Sequence, residues 1–273
     1  MTPARPSPWP RRLLILLAVV LLILFLLLPL LTVFASAFAH GVAAYGAALA
    51  DPDALSAIGL TLTVAALVLP FNLLFGLAAA WAVAKFDFPG KSLVITLIDL
   101  PFSVSPVISG LIFLLLFGLQ GWLGPWLAAR DLRVMFALPG MVLVTLFVTL
   151  PFVARELIPL MEEQGTEEEE AALMLGASGW RIFWRITLPN VRWGLLAGVL
   201  LSNARAMGEF GAVSMVSGHI LGLTMTLPQQ VERFYNDYNT VGAFSLASLL
   251  ALLGLLTLVA KSLLEKRTPT SGA

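Results

Sequence analysis

From Leu13 to Phe38 the chain runs without a single charged side chain, and this stretch limits the fold more than any other feature. It exceeds the ~20 apolar residues that a helix needs to cross ~30 Å of hydrocarbon at ~1.5 Å per residue. Further predominantly apolar runs follow at 56–84, 93–119, 134–154, 191–217 and 241–264. In lipid, every backbone N–H and C=O must find its partner within the protein, so only helices and closed barrels can span. Barrel strands would show as alternating apolar and polar segments of ~10 residues, and no such pattern is present. The expected fold class is therefore an all-α integral membrane protein with six transmembrane helices.

Composition agrees. Of the 273 residues 59% are hydrophobic and 12% charged, about half the ~25% charged share of a soluble domain. Sixteen basic residues balance sixteen acidic ones, so no basic patch for nucleic acid is advertised. With no cysteine, disulfides, thiolate metal sites and cysteine nucleophiles are excluded. His40 and His219 have no ligand-like spacing, and no metal site is expected. Arg11-Arg12, the apolar run and Ala35-Ser36-Ala37 imitate a signal peptide. The run is far longer than the ~7–15 residues of a signal-peptide core, so a retained first helix at 13–38 is expected, with tails at 1–12 and 265–273.

Orientation follows from the basic residues. With the N-terminus inside, the inner segments hold Arg5, Arg11, Arg12, Lys85, Lys91, Arg155, Arg181, Arg185, Arg192, Lys261, Lys266 and Arg267, and the outer ones Arg130, Arg133 and Arg233. Basic residues mark the cytoplasmic side, so both termini are expected in the cytoplasm. Pro70, Pro101, Pro106 and Pro139 are expected to interrupt the middle spans. The stretch from Asp99 to Gly110, with Ser103 and Ser105 between prolines, reads either as a kinked, packed helix or as irregular backbone lining a pathway. Asp99 reads as a helix-packing carboxylate.

The hydrophilic segment 155–190 is expected to face the cytoplasm as two short helices. Thr166 and Glu169 have the spacing of a capping box, Glu167 and Glu168 sit where the helix dipole is positive, and Gly176 is placed to stop the helix. Ser178 can cap a second helix bearing Trp180, Phe183, Trp184 and Ile186, which Leu188-Pro189 should end.

Within this segment Glu170-Ala171-Ala172, Gly176 and Ile186-x-Leu188-Pro189 are similar to the EAA signature of ABC importer permeases. The resemblance implies that the loop is a coupling helix docking on an ATPase, and that 56–264 is a MetI-like type I importer core. Phe88-Pro-Gly-Lys-Ser92, Ile98 to Pro106, Ala206 to Ser214, Val216-Ser217-Gly-His219 and Tyr238 to Gly242 resemble the sulfate/thiosulfate permease family of the CysW type. The Gly208-Glu209-Phe-Gly-Ala212 part is shared with molybdate permeases. The resemblance implies ATP-driven sulfate import across the inner membrane. The implied partners are a second permease, an ATPase dimer that holds ATP and Mg, and an extracytoplasmic sulfate-binding protein. A molybdate or tungstate permease, or an ion-coupled secondary anion transporter, is the alternative. The chain is expected to be a pore subunit and no enzyme. Gly90-Lys91-Ser92 copies the end of a P-loop, but Lys85 stands where its first glycine belongs.

Arg205 and Glu209 are i,i+4 on the fifth span and share a face. An arginine at the bilayer centre costs on the order of 2.5–3.5 kcal/mol on insertion scales, so it should face protein or water. The pair reads either as a neutral fastener between helices or, with Ser103, Ser105 and Ser217, as part of an anion pathway. Reporter fusions test the topology: those after Gly46, Ala129 and Asn236 should report outside, and those after Asp87, Gln164 and Lys266 inside. An outside signal after Gln164 overturns the assignment.

Overall fold

The computed structural model describes residues 8–265, and these form helices and no strands. Helix α1 (Pro8–Leu22) passes through a π turn, Ile23–Leu27, into α2 (Leu28–Ala37). Next come α3 (Gly41–Leu49), α4 (Pro52–Lys85), α5 (Lys91–Ser103), α6 (Pro106–Phe117) and α7 (Gly124–Ala128). After α8 (Leu138–Thr149) and α9 (Pro151–Gln164) stand the short α10 (Glu167–Met174) and α11 (Gly179–Ile182). A second π turn, Phe183–Thr187, leads into α12 (Leu188–Met207), followed by α13 (Gly211–Ser217), α14 (Leu227–Asn236) and α15 (Thr240–Glu265). The expected N-terminal tail is helical from Pro8 onward; the rest of it and residues 266–273 lie outside the described residues.

Among the described residues, four helical stretches are long and apolar enough to cross a membrane: Arg11–Ala37, Pro52–Lys85, Leu138–Gln164 and Thr240–Leu264. The expected span 93–119 is two helices, α5 and α6, set at 105°. Pro106 stands at the bend. Helix α5 stops before Val104, which is extended at φ −101° and ψ 130°; proline keeps the following Ser105 extended as well, φ −57° and ψ 137°, and then opens α6 from its first turn. The expected span 191–217 is also interrupted. It begins earlier, at Leu188, and α12 stops at Met207, with Gly208–Phe210 separating it from α13. It is not among the stretches apolar enough to span by themselves. The prolines divide likewise: Pro70 and Pro101 lie inside helices, whereas Pro106 and Pro139 start them.

The centre of the bundle is the contact of α4, α9 and α12. Lipid tails are as apolar as leucine, so helices gain little from hiding apolar surface; close approach and interhelical hydrogen bonds hold them instead. Glycines permit the approach. A Cβ built on Gly76 would stand 2.5 Å from the Cβ of Val153, and one on Gly198 3.2 Å from the Cα of Val153. At the same level Asn72 of α4, fully buried, donates to Thr149 Oγ1 of α8 at 2.7 Å and to Ser202 Oγ of α12 at 2.8 Å. The α6–α13 contact uses the same device, since a Cβ on Gly110 would meet the Ala212 carbonyl at 2.5 Å.

The first helix behaves differently. Residues 11–29 are exposed throughout, and only the later α2 and α3 lie along α15. Gly76→Leu should force α4 from α9 and lower the melting temperature of the purified subunit, since overpacking costs ~1–3 kcal/mol. Gly59→Leu, in open space, should leave it unmoved; equal melting of all three proteins would contradict the glycine contact.

Candidate functional site

The segment between α9 and α12 is shaped by two left-handed glycines. Gly165, φ +64°, ends α9, and Gly176, φ +82°, follows α10. The end of α10 is a Schellman motif: Ala177 N–H donates to the Ala172 carbonyl at 3.0 Å and Gly176 N–H to that of Leu173 at 2.9 Å, as a glycine at this position allows. The expected hydrophilic loop is therefore shorter than 155–190, because α9 stays helical to Gln164.

The start of α10 differs from its expected form. Thr166 takes the N-cap place without capping; its hydroxyl donates to Glu170 Oε1 at 2.7 Å. Glu169 is drawn elsewhere. Its Oε1 lies 3.2 Å from the Nζ of Lys85, the last residue of α4, and accepts from Thr187 Oγ1 at 2.7 Å. A charged, largely buried donor outcompetes an exposed backbone N–H. Glu168 accepts from Asn190 Nδ2 at 2.6 Å. Ser178 stands before α11 with no side-chain cap. Nor does Leu188-Pro189 end the second helix. The π turn, closed by the Leu188 N–H on the Phe183 carbonyl, makes room for the Pro189 ring, which then sits in the first turn of α12.

Of the expected coupling residues, Glu170, Ala171, Gly176 and Pro189 are exposed, and Ala172, Ile186 and Leu188 half-buried. Around them stands an exposed apolar surface: Met174 and Leu175 are each 89% exposed, Leu173 62% and Trp180 72%. Beside it a cleft of about 330 Å³ opens between Trp81 and Phe86 on one side and Leu173 and Phe183 on the other.

The second group of expected residues is only partly brought together. Arg205 Nη1 lies 2.6 Å from Glu209 Oε2, but the two straddle the end of α12 rather than sharing one helix. Glu209 has its other oxygen on the Ala212 N–H at 2.8 Å, so it caps α13 while neutralising Arg205. Its side chain is 1% exposed against 32% for Arg205. Ser103 and Ser105 are exposed at the α5–α6 bend. Ser217 is buried, accepting from Gln229 Nε2 at 2.7 Å and the His219 N–H at 3.3 Å. That places it in the packing of the α13–α14 connection. Asp99 does pack helices: its Oδ1 takes the Nε of Arg155 on α9 at 2.6 Å.

Residues 72–269 match the model of a family described as the inner membrane component of binding-protein-dependent transport systems. The chain belongs to this family. Curated relatives include the sulfate transport system permease protein CysW of Escherichia coli, 53% identical over 97% of this chain and 91% of that protein. The CysW protein of Synechocystis sp. is 56% identical over 94% and 93%. The sulfate transport system permease protein CysT of Escherichia coli is 36% identical over 82% and 81%. Among solved structures, a bacterial alginate ABC transporter in complex with an alginate-bound periplasmic protein aligns with a TM-score of 0.77 at 16% identity, over 97% of this chain and 96% of that one. That likeness establishes an ABC permease fold. The chain is thus a multi-pass inner-membrane permease and not an enzyme.

Sequence reasoning did not single out Lys85 or Asn72 of this permease. Lys85 reads as one more basic residue inside, and its partner lies 84 positions away; Asn72, an amide within an apolar run, was the available signal for a buried polar tie. The Arg205–Glu209 geometry sets an order of stabilities. Arg205→Met leaves a buried carboxylate unpaired, at ~3–5 kcal/mol. Arg205→Met with Glu209→Gln should recover most of it; Glu209→Met instead loses the cap on Ala212, about 1 kcal/mol. A single Arg205→Met subunit that melts like the wild type contradicts the pairing.

Proposed function

We propose that this permease carries sulfate, and with it thiosulfate, inward across the inner membrane, driven by ATP hydrolysed on a separate subunit. The observation that carries this reading is the 53–56% identity, over nearly the whole chain, to proteins named as sulfate transport permeases. The chemistry demands such a machine. Moving a bare dianion into hydrocarbon costs tens of kcal/mol by Born arguments. Against an interior-negative potential, two charges cost about 4.6 kcal/mol per 100 mV, twice ~2.3. Uptake from dilute solution therefore needs coupled energy and alternating access.

In this reading both termini and the α10–α11 knob face the cytoplasm. The knob's apolar surface and the cleft beside Glu170 receive an ATPase dimer, and ATP and Mg are held there. Gly90-Lys91-Ser92 is not read as a phosphate cradle, because Lys85 stands where the first glycine of a P-loop belongs. The 36% likeness to CysT supports a second permease of similar fold as the other half of the pore. A soluble binding protein delivers the anion from outside, as the family description suggests. The Arg205–Glu209 pair is assigned a structural part, since each oxygen of Glu209 is engaged.

Proteoliposomes holding both permeases, the ATPase and the binding protein should accumulate labelled sulfate with ATP, and unlabelled thiosulfate should compete. Competition by molybdate alone would overturn the sulfate assignment. Gly176→Val should abolish uptake with the subunit still inserted, because a left-handed backbone costs a side chain roughly 1–2 kcal/mol and the turn between the short helices would open. Undiminished uptake would remove the knob from the mechanism.

A further inference from the structure

Few apolar contacts hold the knob among the described residues. Neither α10 nor α11 contains a buried residue, and their ring contact to the bundle is Phe183 beyond α11, 5.1 Å from Trp81. Helix α10 hangs between Gly165 and Gly176, both left-handed and both in open space. Two such hinges would let it swivel. What fixes its direction is polar. Lys85, its side chain 4% exposed, reaches Glu169 at 3.2 Å and donates to the carbonyl of Gly165, the first hinge. Glu169 in turn takes Thr187 at the foot of α12, and Glu168 takes Asn190. One ammonium thus joins the end of α4, the end of α9 and the body of α10, and its carboxylate partner joins α12. Of these, α4, α9 and α12 are the three helices whose glycine-mediated contact forms the centre of the bundle.

We propose that Lys85 is a positioning residue for coupling: its contacts with Glu169 and Gly165 make the knob and the α4–α9–α12 centre one rigid lever. A push on the knob then turns the spans rather than the hinge glycines. Placed at the last turn of α4, the ammonium also sits where the helix dipole favours a cation, which holds the lever at its membrane end. Because Lys85 acts through Glu169 and Gly165, its removal separates hydrolysis from movement instead of lowering both.

This inference rests on the reading of the chain as an ATP-driven permease. The test is sulfate imported per ATP hydrolysed in the reconstituted four-component complex. The wild type comes first: if it moves another anion and not sulfate, the substrate assignment fails and the ratio is read with that anion. Lys85→Met should lower the ratio several-fold, and Lys85→Arg should hold it near wild type. A ratio is insensitive to how much complex assembles, so a merely structural role would leave it unchanged. Glu169→Gln keeps an acceptor for Thr187 and guards against misfolding of the lysine variants; it should lower the ratio as well. A wild-type ratio in both Lys85→Met and Glu169→Gln overturns the proposal.

Discussion

A hydrocarbon solvent offers no hydrogen bonds and little reward for hiding apolar surface, and most of the architecture answers these two conditions. The first makes the backbone helical wherever it crosses. The second shifts the burden of holding helices together onto close contact and polar ties. Gly76 and Gly198 receive Val153 from two sides, and Asn72 reaches two neighbouring helices from a third. The break at Gly208–Phe210 follows the same logic, since the buried Glu209 gives the Ala212 N–H a bond that the start of α13 lacks.

In the knob that we propose as the coupling part, the balance reverses: it keeps an exposed apolar face, and Lys85 and Glu169 tie it to the ends of α4 and α9. An ion pair that is mostly shielded from water, as Lys85 and Glu169 are, is specific in geometry even where its net contribution to stability is small. That suits a part whose task is to hold an angle.

Much of this was legible in the residues. The apolar runs, the glycine stop at Gly176 and the order of the two short helices could be read directly, because each depends on neighbours in the chain. The start of α10 could not. Thr166 and Glu169 have capping-box spacing, yet Lys85 wins the carboxylate, and nothing local announces a partner so distant in sequence. Pro189 misled for a similar reason: a proline forbids an ordinary helical turn, but a π turn is a second solution that spacing does not reveal. The split of 191–217 lay in Gly208 and the polar Arg205 and Glu209, a weaker signal than the apolar residues around them. The burial of Ser217 depends on Gln229, across a turn.

The exposure of the first helix has a consequence for how much its sequence specifies. From residue 11 to residue 29 every residue is exposed in this chain. Within the chain, that stretch is defined only by its average: its leucines, isoleucines and valines could be shuffled among themselves with the same hydrophobic thickness and no change in the bundle. On α4 the opposite holds, since exchanging Gly76 with its neighbour Phe75 would keep the composition and destroy the contact. Two helices of one polypeptide, both crossing the same membrane, thus carry very different amounts of information per residue.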